Sequence, residues 1–593
     1  MNSVSVTGKK WVLKNFKKID FDYLINNHSL DTTVAKLIAI KKIKKEDIEN
    51  YLNPAIKNLL PNPSILKGMD KASSRTVKAI INKEKIGIFG DYDVDGASST
   101  ALLGRYFSHL GLEYETYIPD RRLEGFGLSI KGFENMMKKK MQLLFTVDCG
   151  TMSFEAIDYA NKKKVDVLVL DHHQSEVKLP DAHSIVNPNQ LDDKSNLKNL
   201  CAAGVCFMFL ISLNRSLRKI NWFTDKNIKE PDLIEYLDLV SLGTVCDVVP
   251  LTGINRAIVK QGLKILKSKK NLGLKTLLDI SKVESSPTPY HLGYILGPRI
   301  NAGGRVGKCS HGANLLLNKN PKDAFALATE LEAYNKERQI LEKELLGEAI
   351  REAHKIKDPV IILGGMNWHE GVIGIIASRI KDKFNKPTIV ISKNVNVAKA
   401  SARSISGFDI GTAIIAGVQE GLLLKGGGHK MAGGFSIKLD KIEEFNKFII
   451  KKYNLTNIDH STEKKIYIDS LISPSAINID FFNKVNTLAP FGSGNSEPKF
   501  SIEGVKPINS KIVAEKHIKS VLLGGDGSTI KTIAFNALDS DIGAYLLKKD
   551  SKIFDIVGKI SLNEWRGDKN VEFIIDDISV TKYDIKKVPS SIG

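Results

Sequence analysis

Hydrophobic positions follow two rhythms along the chain, and the change falls near residue 463. Between 71 and about 195, short apolar runs alternate with helical stretches. The runs IGIF (86–89), LLFTV (143–147) and VDVLVL (165–170) are continuous, as in strands buried on both faces. The spacing predicts helices over 97–110 and around 153–163 between them. Such alternation implies βαβ units and a mostly parallel sheet. Residues 200–280 read as helical. Residues 320–356 read as one long charged helix with acid–base pairs four apart, a solvated connector between two domains. A second α/β domain begins near 359 with PVIILGG, continues through HEGVIGIIASRIKDKF and PTIVIS, and ends near 455 after GGGHKMAGGFSI. Beyond 463, apolar and polar residues alternate in short runs such as KIYIDS, PKFSIEGV and TIKTIAFNA. That pattern predicts a small all-β barrel or sandwich of about five or six strands. Residues 1 to about 70 read as mostly helical and lysine-rich.

A chain of 593 residues suggests about three to five domains. Lys and Arg exceed Asp and Glu by 86 − 67 = 19. An excess of this size favours a polyanionic partner such as nucleic acid, although lysine-rich coding bias produces the same excess. Cys149, Cys201, Cys206, Cys246 and Cys309 are odd in number and show no CxxC spacing, which fits a reducing compartment rather than a disulfide framework. The start, MNSVSVTGKKWVLKNFKK, lacks the apolar core of a secretory signal, and no apolar stretch reaches membrane-spanning length. The expectation is a soluble cytoplasmic protein without a membrane partner.

Each strand-like run leads directly into acidic residues. GDYDVDG (90–96) places Asp91, Asp93 and Asp95 after the first run, TVDCG (146–150) places Asp148 after the second, and LDHH (170–173) places Asp171, His172 and His173 after the third. Strand ends of a parallel sheet face one crevice. Asp247 comes next, in the otherwise apolar GTVCDVVPL (243–251), where an unpaired carboxylate is costly. Each motif alone has a plainer explanation: an acidic turn or helix cap for Asp93, a buried salt bridge for Asp247. An EF-hand is disfavoured, because the twelfth position counted from Asp91 is Leu102. Together the acids repel unless divalent cations compensate them, and the four motifs point to one dinuclear site with Asp148 able to bridge. Imidazole beside carboxylate suits Mn²⁺, Fe²⁺ or Zn²⁺, whereas carboxylates alone suit Mg²⁺.

The order GDYDVDG, VDCG, DHH, then Asp after LGTV resembles the DHH phosphoesterase superfamily. The motifs IPDRRLEGFGL, GPRINAGGR, WHEGVIGIIASR, SARSISGFDI, GGGHKMAGG and APFGSGNSEPKF are similar to those of RecJ-like single-stranded-DNA exonucleases, over about 70 to 580. Gly304 and Gly433 stand where that family often has Ala, a departure expected to change little. The resemblance implies an α/β fold: a helical segment at 1–70, a parallel-sheet DHH domain at 71–319, a connecting helix at 320–356, a smaller α/β DHHA1 domain at 357–457, and an all-β OB-fold domain at 463–583. It implies Asp93, Asp95, Asp148, His172 and Asp247 as ligands of two Mn²⁺ or Mg²⁺ ions, with Asp148 bridging and Asp91 and His173 close by. It implies that His429 acts beside the metals and that Gly427 and Gly428 let a phosphodiester approach closely. Arg121 or Arg122, Arg299, Asn301, Arg305, Ser401 and Arg403, with Ser404 nearby, would hold DNA phosphates, the 5′-terminal one included. In the OB domain Phe500, Lys519, Lys531, Phe535, Trp565 and Arg566 are candidates for the strand. The implied activity is 5′-to-3′ hydrolysis of single-stranded DNA to 5′-mononucleotides in recombination and repair, by a monomer working with single-stranded-DNA-binding protein and a helicase. The alternative is a DHH phosphodiesterase acting on short oligonucleotides or cyclic dinucleotides.

Overall fold

The computed structural model describes residues 5–121, 123–125, 127–456, 464–548, 553–565 and 568–580. Arg122 and Arg566 lie outside these residues, and the side chain of Trp565 is not described. The chain forms two compact units. One comprises residues 61–249 and 261–460; the other comprises 1–60, 250–260 and 461–593.

The first unit holds two sheets. In the first sheet the strands run Tyr114–Tyr117, Ile86–Gly90, Leu143–Val147, Asp166–Leu170 and Ser184–Val186 side by side, all parallel. Every residue of the second and third of these is buried, which is why their sequences are unbroken apolar runs. The chain order reverses at the pair Ile86–Gly90 and Leu143–Val147, and ligand crevices form at such switch points. Helices Val94–His109 and Ala202–Lys219 cover the sheet.

The second sheet is mixed. Its order is Lys425–His429, Ala432–Lys438, Val397–Arg403, Thr388–Lys393 and Ile361–Met366, and only the last pair is parallel. Between the sheets in sequence runs the helix Pro321–Ala353, 33 residues and so about 50 Å long. It is not a solvated connector. Ala324, Ala328 and Leu331 are fully buried, and Leu345, Ala349 and Ala353 enter a core with Ile361, Leu363 and Ile376. The charged exterior of this helix hides a narrow apolar stripe at helical spacing.

In the second unit five strands close into a barrel in the order Phe500–Val513, His517–Leu523, Thr529–Ala534, Asp568–Ser579 and Phe554–Trp565, with the last pairing back on the first. The N-terminal residues are built into this unit. Lys10–Leu13 forms a strand parallel to Lys465–Ile468, and Leu24, Leu37 and Ile38 join Phe500, Phe554 and Phe573 in one core. Arg256 is fully buried, with its guanidinium donating to the carbonyls of Tyr51, Leu488, Ala489 and Pro490 at 2.9–3.3 Å.

Candidate metal centre

Strand register gathers the acids. Gly90, Val147 and Leu170 stand abreast across the sheet, so the next residues are Asp91, Asp148 and Asp171. Their amides continue the ladder, donating to Val147, Leu170 and Val186 at 3.1–3.3 Å. Asp148 then turns with a φ of 60°. Beyond the first strand, Asp93 caps the helix Val94–His109: one carboxylate oxygen accepts from the amides of Asp95 and Gly96 at 2.9 and 3.0 Å. The cap occupies one oxygen of the carboxylate, so capping does not exclude a ligand role.

Asp95 is fixed from another helix. The amides of Ala202 and Ala203, at the N-terminus of Ala202–Lys219, donate to its two oxygens at 2.6 and 3.0 Å. His172 Nε2 lies 3.2 Å from Asp148 and 3.8 Å from Asp95, and its Nδ1 lies 3.6 Å from Asp247. Three donor sets result: Asp91, Asp93 and Asp148; Asp148, His172 and His173; and Asp95, His172 and Asp247, each with ligand atoms within 4.8 Å of one another.

Asp171 plays a different part. Its carboxylate accepts from the amides of Thr151, His172 and His173 and from His173 Nδ1 at 2.7–3.2 Å, which saturates it as an anchor for the two histidines. Burial pushes its carboxyl up, but the hydrogen bond and charge of His173 outweigh that and hold it below the usual range. Burial pushes His173 down, and Asp171 overrides it, to about 9. Asn187 and Asn189, on the loop after the fifth strand, clamp the carbonyls of His173 and His172 at 2.9 and 2.5 Å. Sequence reasoning missed this pair, although NPN after a short strand was a visible turn signal.

Despite these contacts the carboxylates still repel one another. One buried oxygen of Asp91 and one of Asp148 have no hydrogen-bond partner among the described residues. Burial first, then neighbouring carboxylates, push Asp91 and Asp148 well above the ordinary range, and Asp247 to about 8. Orphaned, oxygen-rich donors of this kind fit hard divalent cations. Gly243 belongs to the centre as well: a Cβ there would stand 2.4 Å from Asp95 Oδ1.

A cationic group stands beside the acids. Arg121 lies over the Tyr92 ring at 5.3 Å. Arg305 donates to Gly371 O at 3.0 Å, and Arg403 donates to Ser401 Oγ at 3.1 Å. Burial and then Arg121, Arg338 and Arg403 bring Arg305 down to about 10; burial and then Arg121 lower Arg403. Among the described residues, Arg121, Arg305 and Arg403 make no ion pair with a carboxylate, although the charge of Arg121 acts on Asp91. Arg299 differs, since it is held by Glu332 at 2.6 Å and by Ile295 O at 2.8 Å. Asn301 lies half-buried on the same helix. Ser404 Oγ is taken up by Phe408 O at 2.7 Å. Gly427, Gly428 and His429 form the exposed edge of the second sheet, and among the described residues nothing joins His429 to the acids by hydrogen bond or ion pair. The space around the two glycine departures is tight. A Cβ at Gly433 would meet Ile414 Cδ1 at 2.5 Å and Gly427 O at 2.9 Å, and one at Gly304 would meet Tyr92 at 3.0 Å.

Fold and site together define a DHH-type phosphoesterase. Residues 85–244 match the DHH family, N-terminal domain; 357–454 match the DHHA1 domain, and 468–577 the RecJ OB domain. Single-stranded-DNA-specific exonuclease RecJ of Salmonella typhimurium is 34% identical over 541 residues, 89% of this chain and 92% of the relative. The RecJ of Haemophilus influenzae is 32% identical over 95% of this chain and 98% of its own. The crystal structure of Thermus thermophilus RecJ with Mn²⁺ superposes with a TM-score of 0.79 at 26% identity, over 97% of this chain and 80% of that one. The chain belongs to the RecJ family of single-stranded-DNA-specific exonucleases.

Proposed function

We infer that this protein is a metal-dependent exonuclease that degrades single-stranded DNA from its 5′ end to 5′-mononucleotides, in recombination and repair. The observation that carries the reading is the sharing of Asp148 and His172 among three overlapping donor sets, an arrangement for two adjacent cations. Asp91, Asp93 and Asp148 would hold one, and Asp95, Asp148, His172 and Asp247 the other. Mn²⁺ or Mg²⁺ suits these donors, and solved RecJ structures carry each ion. Two cations in such a site supply Lewis-acid stabilisation of phosphoryl charge and acidify water.

The protein's own groups do the rest. Asp171 holds His172 and His173 in place, and His173 stands ready beside Asp148. Arg121, Arg305 and Arg403, with Ser401, take the 5′-terminal phosphate, because unpaired guanidinium groups favour a phosphate dianion. Arg299 and Asn301 contact the following backbone. Gly427, Gly428 and His429 close on the phosphodiester from the second sheet. The OB domain binds single-stranded DNA. We divide the chain into 1–70, 71–319, 320–356, 357–457 and 463–583. We assign it as a cytoplasmic monomer that meets single-stranded-DNA-binding protein and a helicase. Among the described residues no helix is long and apolar enough to cross a membrane, and the cysteines are free.

Digestion of a long 5′-phosphorylated oligonucleotide labelled at either end, with Mn²⁺ titrated into chelator-treated protein, tests the reading. The 5′ label should leave first as a mononucleotide, a duplex should resist, and Asp93→Ala should lose more than about 100-fold in rate. Release of the 3′ label first, or faster turnover of a dinucleotide than of the long strand, would refute it.

A further inference from the structure

One continuous helical stretch runs from Tyr290 to Val306, a π-helical turn over His291–Leu296 passing directly into the α-helix Gly297–Val306. π-Helical turns are rare and occur often at functional sites. The inner side of this one is pinned to the metal centre. Leu292 and Leu296 are fully buried, Cys246 Sγ donates to Leu292 O at 3.4 Å, and a Cβ on Gly293 would stand 3.5 Å from Val245. Val245 and Cys246 immediately precede Asp247, so the turn rests on the segment that carries a candidate ligand.

The outer side carries an unexplained feature. Tyr290 and Tyr294, one turn apart, are 59% and 71% exposed, yet their rings stack at 5.3 Å with an interplanar angle of 23°. His291 stands edge-on to Tyr290 at 5.8 Å. Steps of four, three and four residues from Tyr294 lead to Pro298, Asn301 and Arg305, so the rings share a helix side with residues assigned above to DNA phosphates. Arg305 at the far end of that row belongs to the arginine cluster. An aromatic pair that buries little of its own area, beside a backbone-binding row, has the form of a stacking site with a free outer face.

We propose that Tyr290 and Tyr294 form a platform on which an unpaired nucleobase of the substrate stacks, beside the metal centre. The proposal rests on the single-strand nuclease reading and adds to it a contact with the base rather than the backbone. Any base has a π-face, so the platform tolerates all sequences. A base inside a duplex has both faces covered by its neighbours and reaches the platform only after unstacking. The platform therefore favours single strands.

Affinity of the full-length protein for a 3′-fluorescein, 5′-phosphorylated oligonucleotide, read by anisotropy in chelator so that no hydrolysis occurs, tests the platform. The Tyr290→Ala/Tyr294→Ala double variant should bind about tenfold more weakly, equivalent to about 1.4 kcal/mol, with its melting temperature unchanged. Tyr294→Phe and Tyr294→Trp should bind like the parent. A single abasic residue walked in from the 5′ end should weaken binding to the parent at one position by the same factor, and should add nothing in the double variant. Unchanged affinity in the double variant would overturn the proposal, as would abasic and alanine losses that simply add. Failure of the nuclease reading shows separately, as absence of Mn²⁺-dependent hydrolysis by the parent protein.

Discussion

Replacing Gly243 by alanine adds one methyl group against the Asp95 carboxylate. The new Cβ would stand 2.4 Å from Asp95 Oδ1 and 2.9 Å from the Ala203 Cβ. Ordinary contact begins near 3.4 Å, so the carboxylate must retreat by about 1 Å. That carboxylate is held by amide hydrogen bonds of 2.6 and 3.0 Å from Ala202 and Ala203, and it cannot retreat so far and keep both. Losing a hydrogen bond to a charged group costs about 1.5–3 kcal/mol, and overpacking costs about 1–3 kcal/mol more. The metal-free protein should therefore lose roughly 2.5–6 kcal/mol in stability. Mn²⁺ affinity, with one ligand displaced, should fall about 10–100-fold. Chemical denaturation and calorimetric Mn²⁺ titration measure both. Gly347→Ala serves as the control: its Cβ would meet nothing nearer than Arg351 Nη1 at 3.7 Å, inside the long helix. It should gain up to about 1 kcal/mol and leave Mn²⁺ binding alone. Parental Mn²⁺ affinity in Gly243→Ala would refute the placement of Asp95 as a ligand.

Two further outcomes concern the buried groups. Asp247 titrates near 3.8 when unfolded and at about 8 in the folded, metal-free protein, so the folded state binds the extra proton between those values. Its contribution is fully present below about pH 4 and is lost as pH rises through about 8; Asp91 and Asp148 shift the same way. The melting temperature in chelator should fall from about pH 5 to about pH 8, and the gain from Mn²⁺ should be largest at the alkaline end; a gain independent of pH contradicts this. Arg256→Ala should cost on the order of 4 kcal/mol, because four carbonyl oxygens lose their donor inside the core; a loss under about 1 kcal/mol by denaturant titration would mean that water replaces the guanidinium.

The aspartates were legible because a parallel sheet translates sequence into position. A buried strand reads as an unbroken apolar run, and the residue after it must stand at the carboxyl edge, whatever the rest of the fold does. Asp91, Asp148 and Asp171 could therefore be placed from one-dimensional pattern alone. The difference between them could not: Asp148 keeps an unsatisfied oxygen, whereas Asp171 spends its carboxylate on three amides and an imidazole. The long helix was misjudged for a related reason. Charges dominate its composition, and only packing reveals which residues of the apolar stripe are covered.

Local chemistry along the chain thus determined the strands, the acids at their ends, the helix lengths and the barrel, since each depends on the periodicity of neighbouring residues. Tertiary structure alone decided that Ala202 and Ala203 amides grip Asp95, that Gly243 must lack a side chain, that Lys10–Leu13 pairs with Lys465–Ile468, and that Tyr290 and Tyr294 stack in the open. These are meetings between residues far apart in sequence or exposed by what does not cover them, and no local period encodes either.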